Sequence, residues 1–202
     1  MKLKNQILTF GTIFWLLAVV GGELILVRYA NAPGLPAKAP VHWPGASHIH
    51  PISGKSTFVM FAHPFCPCSR ASISELSKIM THAQNRIQAV VIFITPEHHA
   101  LAKTSLWNQA IQIPGVVVLE DQGNVESKLF GAQTSGQTLL YNEEGRLVFS
   151  GGITLARGHE GDNLGEKNVL NLLNYQKGEA QSSVFGCALF NQEKTNVSSS
   201  RS

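Results

Sequence analysis

Residues 57 to 80 limit what this chain can fold into more than any other stretch does. Thr57 to Ala62 is an unbroken apolar run of strand length, which predicts a buried strand. A short turn follows, His63-Pro64-Phe65-Cys66-Pro67-Cys68-Ser69. Ile73, Leu76, Ile79 and Met80 then recur at helical spacing, which predicts a helix with one apolar face. The two cysteines therefore sit at a strand-to-helix junction, at the helix N-terminus. Free N–H groups and partial positive charge at that end favour thiolate over thiol. The thiolate is the form that attacks disulfides and binds metals. Pro67 suits the first helical position, where no N–H is needed. Two residues along a regular helix turn the chain by about 200°. Cys66 and Cys68 can therefore pair only if the helix begins after Cys68, and so short a ring would be strained and readily reduced.

The 202 residues suffice for one domain with a full core and appendages. A net charge of +3 is too weak to argue for nucleic acid. Residues 1–30 read as a membrane anchor or signal segment. Lys2 and Lys4 precede an apolar run from Ile7 to Val27 that is long enough to cross a bilayer. The lysines favour an N-in orientation, a bias that Arg28 weakens. Ala30-Asn31-Ala32 offers a cleavage site for the signal reading, with Pro33 just behind it. Either reading places the remainder outside the cytoplasm, where disulfides persist. Residues 31–53, rich in proline and glycine, read as a semi-rigid linker.

A domain over 54–176 is expected to follow. Ala89 to Ile94 and Gly115 to Glu120 predict two further buried strands, the first parallel to the opening one through a right-handed crossover. A helix is predicted from Thr95-Pro96-Glu97 to Ile111, with His98 and His99 in its first turn. Asn124 to Phe130 predicts a short helix stopped by Gly131. Thr138–Tyr141 and Arg146–Ser150 predict a hairpin turning at Gly145. The glycine-rich segment 151–163 carries Arg157, His159, Asp162 and Asn163 to the sheet end where the cysteines lie. Glu166 to Tyr175 closes the domain as a helix. The tail, 177–202, is polar and predicted largely disordered, with one apolar island, Val184 to Phe190, docked on the domain. That island holds Cys187, the odd third cysteine and a possible resolving thiol.

The junction resembles the active site of the thioredoxin superfamily, in which an apolar strand, an aromatic residue, Cys-x-x-Cys and a helix follow one another. Phe65 takes the aromatic place and Cys66 that of the attacking cysteine. Cys68 falls one residue early, and Ser69 stands at the usual second-cysteine position. The cis-proline of the superfamily is replaced by Ser135-Gly136-Gln137. The order of elements is similar to the membrane-anchored TlpA and ResA branch. His63-Pro64, Cys66 to Ser69, Ser150 to Thr154, Arg157-Gly158-His159 and Phe185-Gly186-Cys187 look like the RedB-type proteins. The resemblance implies an α/β thioredoxin-like fold, a central mixed sheet with flanking helices, behind one N-terminal transmembrane helix. It further implies a single-pass protein of the bacterial inner membrane with its C-terminal domain in the periplasm.

The function expected is a thiol–disulfide oxidoreductase without a cofactor, Cys66 attacking and Cys68 resolving, with a disulfide-containing protein as partner. His63, Arg157, His159 and Gln137 are supporting candidates. A copper-binding protein similar to the Sco proteins is an alternative, with Cys66, Cys68 and His159 as ligands. A peroxiredoxin-type peroxidase is another, with Cys66 oxidised to sulfenic acid and resolved by Cys68 or Cys187.

Overall fold

The computed structural model describes residues 2–83, 86–94 and 104–190. The chain forms two units, one ending at Ala32 and one beginning at Pro33. The first is a single helix, α1 (Lys2–Ala30). Its segment Lys4–Ala30, 27 residues, is long and apolar enough to cross a membrane. At 1.5 Å per residue it reaches about 40 Å, beyond a hydrocarbon core of about 30 Å.

The second unit is built on five strands: β1 (Ser56–Ala62), β2 (Ile87–Ile94), β3 (Val116–Asp121), β4 (Gln137–Tyr141) and β5 (Leu147–Gly151). Their order across the sheet is β3-β2-β1-β4-β5. β1, β2 and β3 run parallel, with Phe58 opposite Ala89 and Ala89 opposite Val116. β4 joins β1 antiparallel, with Phe58 opposite Leu140, and β5 closes the hairpin. This mixed sheet, flanked by helices, is a thioredoxin-like fold. β1 lies at its centre, and its six residues from Thr57 to Ala62 are all buried. Successive residues face opposite sides of the sheet, so a strand covered on both faces must be apolar throughout.

One face is covered by helices. Phe58 and Met60 pack with Ile73, Leu76 and Ile79 of α2 (Pro67–Ala83), Leu106 of α3 (Ser105–Ile111) and Val169 of α5 (Leu164–Tyr175). The helix expected from Thr95 is described only from Ser105, with Thr104 as its N-cap. Its expected start, with His98 and His99, lies outside the described residues.

The other face is covered differently. Val59, Phe61, Val90 and Tyr141 pack against Phe130, which follows α4 (Val125–Leu129), and against Ala37, Ala39 and Trp43. The proline-rich segment read as a linker is thus a strap laid on the sheet. Its backbone is tied at Gly34 (N–H to the Val184 carbonyl, 2.8 Å), Lys38 (to Gly131, 3.0 Å) and Trp43 (to Gly145, 2.8 Å). The Tyr141 hydroxyl donates to the Pro40 carbonyl at 3.0 Å. Trp43 meets Phe130 and Tyr141 edge-on, with ring centroids 5.0 and 5.1 Å away. Trp43→Ala should therefore lower unfolding free energy by roughly 2–3 kcal/mol, as for a large aromatic removed from a partly buried site. A chemical denaturation curve monitored by far-UV circular dichroism checks this, and an unchanged midpoint would return the segment to the status of a spacer.

Candidate functional site

The chain leaves β1 at Ala62 and turns through His63, Pro64 and Phe65 into Cys66, which is 2% exposed. Helix α2 begins at Pro67, so Cys68 already lies in its first turn. The turn closes on itself: Cys66 N–H donates to the His63 carbonyl at 3.2 Å, and Ser69 N–H to the Cys66 carbonyl at 3.0 Å. Ser69 is fully buried. Its hydroxyl donates to the His63 carbonyl at 3.2 Å and lies 2.7 Å from the Ser135 hydroxyl oxygen. Ser135 Oγ in turn accepts from His63 N–H at 2.9 Å. The residue standing where a second cysteine would be is therefore a bracket. It ties the cysteine turn to the loop ahead of β4.

No peptide bond is cis among the described residues. Where a cis-proline would stand, Gly136 adopts a left-handed backbone with φ of 86°. Its N–H donates to the Phe61 carbonyl at 2.8 Å. A side chain there would be strained by conformation and would crowd the Ser72 hydroxyl, 2.7 Å from a built Cβ.

The third cysteine arrives from the other end of the chain. Beyond α5 the tail runs back along β5: Ser150 N–H donates to the Ala180 carbonyl at 2.9 Å, and Ser182 Oγ to the Gly152 carbonyl at 2.6 Å. It then crosses to the loop before β4. Ser135 N–H donates to the Cys187 carbonyl and Leu189 N–H to the Gln133 carbonyl, both at 2.8 Å. Thr134 and Ala188 pair antiparallel between them. Val184 and Leu189 are buried. Residues 180–190 are thus hydrogen-bonded onto the domain, and residues 191–202 lie outside the described part. Glycines permit this approach. A Cβ on Gly152 would come 2.8 Å from the Ser183 carbonyl oxygen, and one on Gly186 would overlap the Ser135 carbonyl oxygen.

The outcome is a cluster of three thiols. Cys66 Sγ and Cys187 Sγ are 2.9 Å apart, and the Sγ atoms of Cys66, Cys68 and Cys187 all lie within 4.8 Å of one another. Burial pushes the Cys66 thiol up. Hydrogen bonds onto its sulfur from the Cys187 thiol and from the N–H groups of Cys187, Cys68 and Ser69 outweigh that, and it lies below the ordinary thiol value. The other two move the opposite way. Burial, then the Cys66 charge, raise Cys68, while burial and the bond to Cys66 push Cys187 up to about 12. One thiolate flanked by two protonated thiols is the arrangement expected of like charges that cannot all ionise together.

The supporting candidates divide. Arg157 donates from its guanidinium to the Gly186 carbonyl, and its charge favours the thiolates of Cys68 and Cys187. Its loop is anchored by Gly161 N–H on the buried Glu75 carboxylate at 2.7 Å and by Asn163, which caps α5. His63 is half-buried, and burial lowers its pKa. Its ring accepts from Phe65 N–H at 3.2 Å. His159 is exposed, with Nδ1 2.8 Å from the Arg157 carbonyl oxygen. Neither histidine joins the thiol cluster. The Gln137 amide binds the strap and β5 instead: Oε1 accepts from Ala37 N–H at 2.9 Å, and Nε2 donates to the Ser150 hydroxyl at 3.3 Å. Ser69 and the backbone of Gln133 and Ser135, which hold the turn and the tail, were not among the residues expected at the site. The sequence signals for them were the places of Ser69 and Ser135 in the thioredoxin-like pattern and, for the tail, glycine at 151, 152 and 186, which marks close backbone approach.

No family model matches the sequence, and no curated protein matches it. Solved structures do. An uncharacterized conserved protein from Geobacillus kaustophilus aligns over 81% of this chain and 93% of its own, with 15% identity and a TM-score of 0.58. A hypothetical protein from Sinorhizobium meliloti aligns over 79% and 96%, with 20% identity and a TM-score of 0.56. The resemblance is one of fold. A secreted disulfide oxidoreductase from Mycobacterium tuberculosis matches more distantly, over 60% of this chain and 81% of its own, with 16% identity and a TM-score of 0.43.

Proposed function

We propose that the protein is a membrane-anchored, extracytoplasmic thiol–disulfide oxidoreductase in which Cys66 attacks and Cys187, rather than Cys68, resolves. The observation that carries this reading is the 2.9 Å approach of Cys187 Sγ to Cys66 Sγ at the N-terminus of α2. In the reducing direction, the Cys66 thiolate attacks one sulfur of a partner disulfide and displaces the partner's other sulfur as a thiolate. Cys187 gives its proton to the displaced thiolate, attacks Cys66 Sγ and releases the second partner thiolate. Two thiols have become one disulfide, and two electrons have passed to the partner. The reverse sequence oxidises a partner dithiol. Cys68 Sγ also lies within 4.8 Å of Cys66 Sγ, but α2 starts at Pro67, and a Cys66–Cys68 bridge would close a short, strained ring across its first turn. The same residues carry the RedB-type resemblance: Cys66 to Ser69, Arg157, and Gly186-Cys187. The length and apolar character of α1 support an inner-membrane anchor, with the domain in the periplasm, where such chemistry is permitted.

Equilibrating the protein across graded thiol–disulfide buffers, then alkylating free thiols and mapping each cysteine by peptide mass, tests the reading. Cys66 and Cys187 should interconvert as a pair, and absence of that bridge at every poise would sink the proposal. The pH dependence of alkylation gives an independent check. Because Cys66 is held below the ordinary thiol value, its half-maximal alkylation rate should come at a lower pH than that of a free cysteine measured alongside it. Cys187→Ala removes one of the hydrogen bonds that lower Cys66, so the midpoint should move up.

A further inference from the structure

We infer that the reduced site is also a Cu(I) site, with Cys66, Cys68 and Cys187 as three sulfur ligands. The inference goes beyond the redox reading and concerns the state in which no disulfide is present. Three features of the cluster point to it. First, the sulfurs come from two separately fixed pieces of chain: the turn that runs into the first turn of α2, with Cys66 and Cys68, and the hydrogen-bonded tail, with Cys187. Their Sγ atoms already lie within 4.8 Å of one another. A metal at about 2.3 Å from each of three sulfurs spaces them by about 4 Å. The Cys66–Cys187 pair must open by about 1 Å to reach that spacing, and no segment has to refold.

Second, the donor set selects the ion. All three donors are soft sulfur, which favours Cu(I) over harder cations. Structural zinc takes four protein ligands. Among the described residues no fourth histidine, cysteine, aspartate or glutamate joins the cluster. A three-sulfur set without a fourth donor fits the trigonal coordination that Cu(I) accepts. Third, the charge is balanced in part by the surroundings. Three thiolates and one Cu(I) leave two negative charges. The N-terminus of α2 and the Arg157 guanidinium, which binds the Gly186 carbonyl next to Cys187, both oppose them. The thiol protons leave to solvent, and no electron is transferred on binding.

The test uses the whole chain in detergent, fully reduced and anaerobic. It is titrated with Cu(I) in competition with a chromophoric Cu(I) chelator. One Cu(I) per chain is expected, with three sulfur neighbours at a single distance in the copper-edge X-ray absorption spectrum. Cys68→Ser and Cys187→Ser should each weaken binding by at least about 100-fold, the upper end of what losing an outer-shell partner costs. His159→Ala should leave it unchanged. Chelator retention of all the copper overturns the inference. So does wild-type affinity in Cys187→Ser, a nitrogen neighbour in the spectrum, or weakening in His159→Ala. The spectrum of the wild type stands even if a variant unfolds. Failure of the redox reading is read separately, from the thiol–disulfide titration with chelator present.

Discussion

In thiol–disulfide buffers, Cys187→Ser should lose the reversible internal couple altogether, while Cys68→Ser should keep it. The expectation rests on geometry: Cys187 Sγ lies 2.9 Å from Cys66 Sγ, whereas Cys68, also within 4.8 Å, is held in the first turn of α2 and could bridge Cys66 only through a short, strained ring. Without Cys187, Cys66 still attacks, because the turn and the backbone N–H groups of Cys68 and Ser69 remain. It then stays trapped as a mixed disulfide with the buffer thiol. Turnover of a disulfide substrate should fall by at least about 100-fold. An intramolecular resolving thiol acts at an effective concentration far above that of any free thiol, and that advantage is gone. Mass mapping separates the cases. A mixed disulfide at Cys66 in Cys187→Ser, with an intact internal bridge in Cys68→Ser, is the expected pattern. The opposite pattern would restore Cys68 as the resolving residue.

How much of this was open to sequence reading follows from how local each determinant is. The β1–turn–α2 junction lies in 24 consecutive residues and shows a change of periodicity from strand to helix. The parallel strands and the hairpin were legible for the same reason, with β4 starting one residue earlier than expected and β5 displaced by a single residue. The strap was not legible. Its proline composition is that of a spacer, and it is held by scattered hydrogen bonds from Gly34, Lys38 and Trp43 that leave no period in the sequence. The site was half legible. The N–H groups of Cys68 and Ser69 at the helix terminus, which help lower Cys66, were legible, but the larger lowering from Cys187 was not, and helical rotation pointed Cys66 and Cys68 apart where the structure brings their sulfurs within 4.8 Å. The partner thiol is 121 residues away in sequence, and its approach depends on the register between Cys187–Leu189 and Gln133–Ser135. Nothing in either segment alone specifies that register.

That register yields the second large expectation. Gly186→Ala should undock the tail without touching any cysteine. A Cβ on Gly186 would overlap the Ser135 carbonyl oxygen, which belongs to backbone and cannot swing aside. The Ser135–Cys187 hydrogen bond and the Thr134–Ala188 pairing are the contacts that must give way. Overpacking of this kind costs about 1–3 kcal/mol. Because about 1.4 kcal/mol is tenfold in an equilibrium, the open population should rise by about one to two powers of ten. Alkylation of Cys66 separates two consequences. The plateau rate at high pH should rise, because a nearly inaccessible sulfur becomes exposed. The pH midpoint should move up toward the ordinary thiol value, because the hydrogen bonds from Cys187 that lower Cys66 are lost. Gly45→Ala, at a position with open space around it, should change neither. If Gly186→Ala behaves as Gly45→Ala does, the tail does not cover Cys66 in solution. Cys187 would then lose its place in the chemistry.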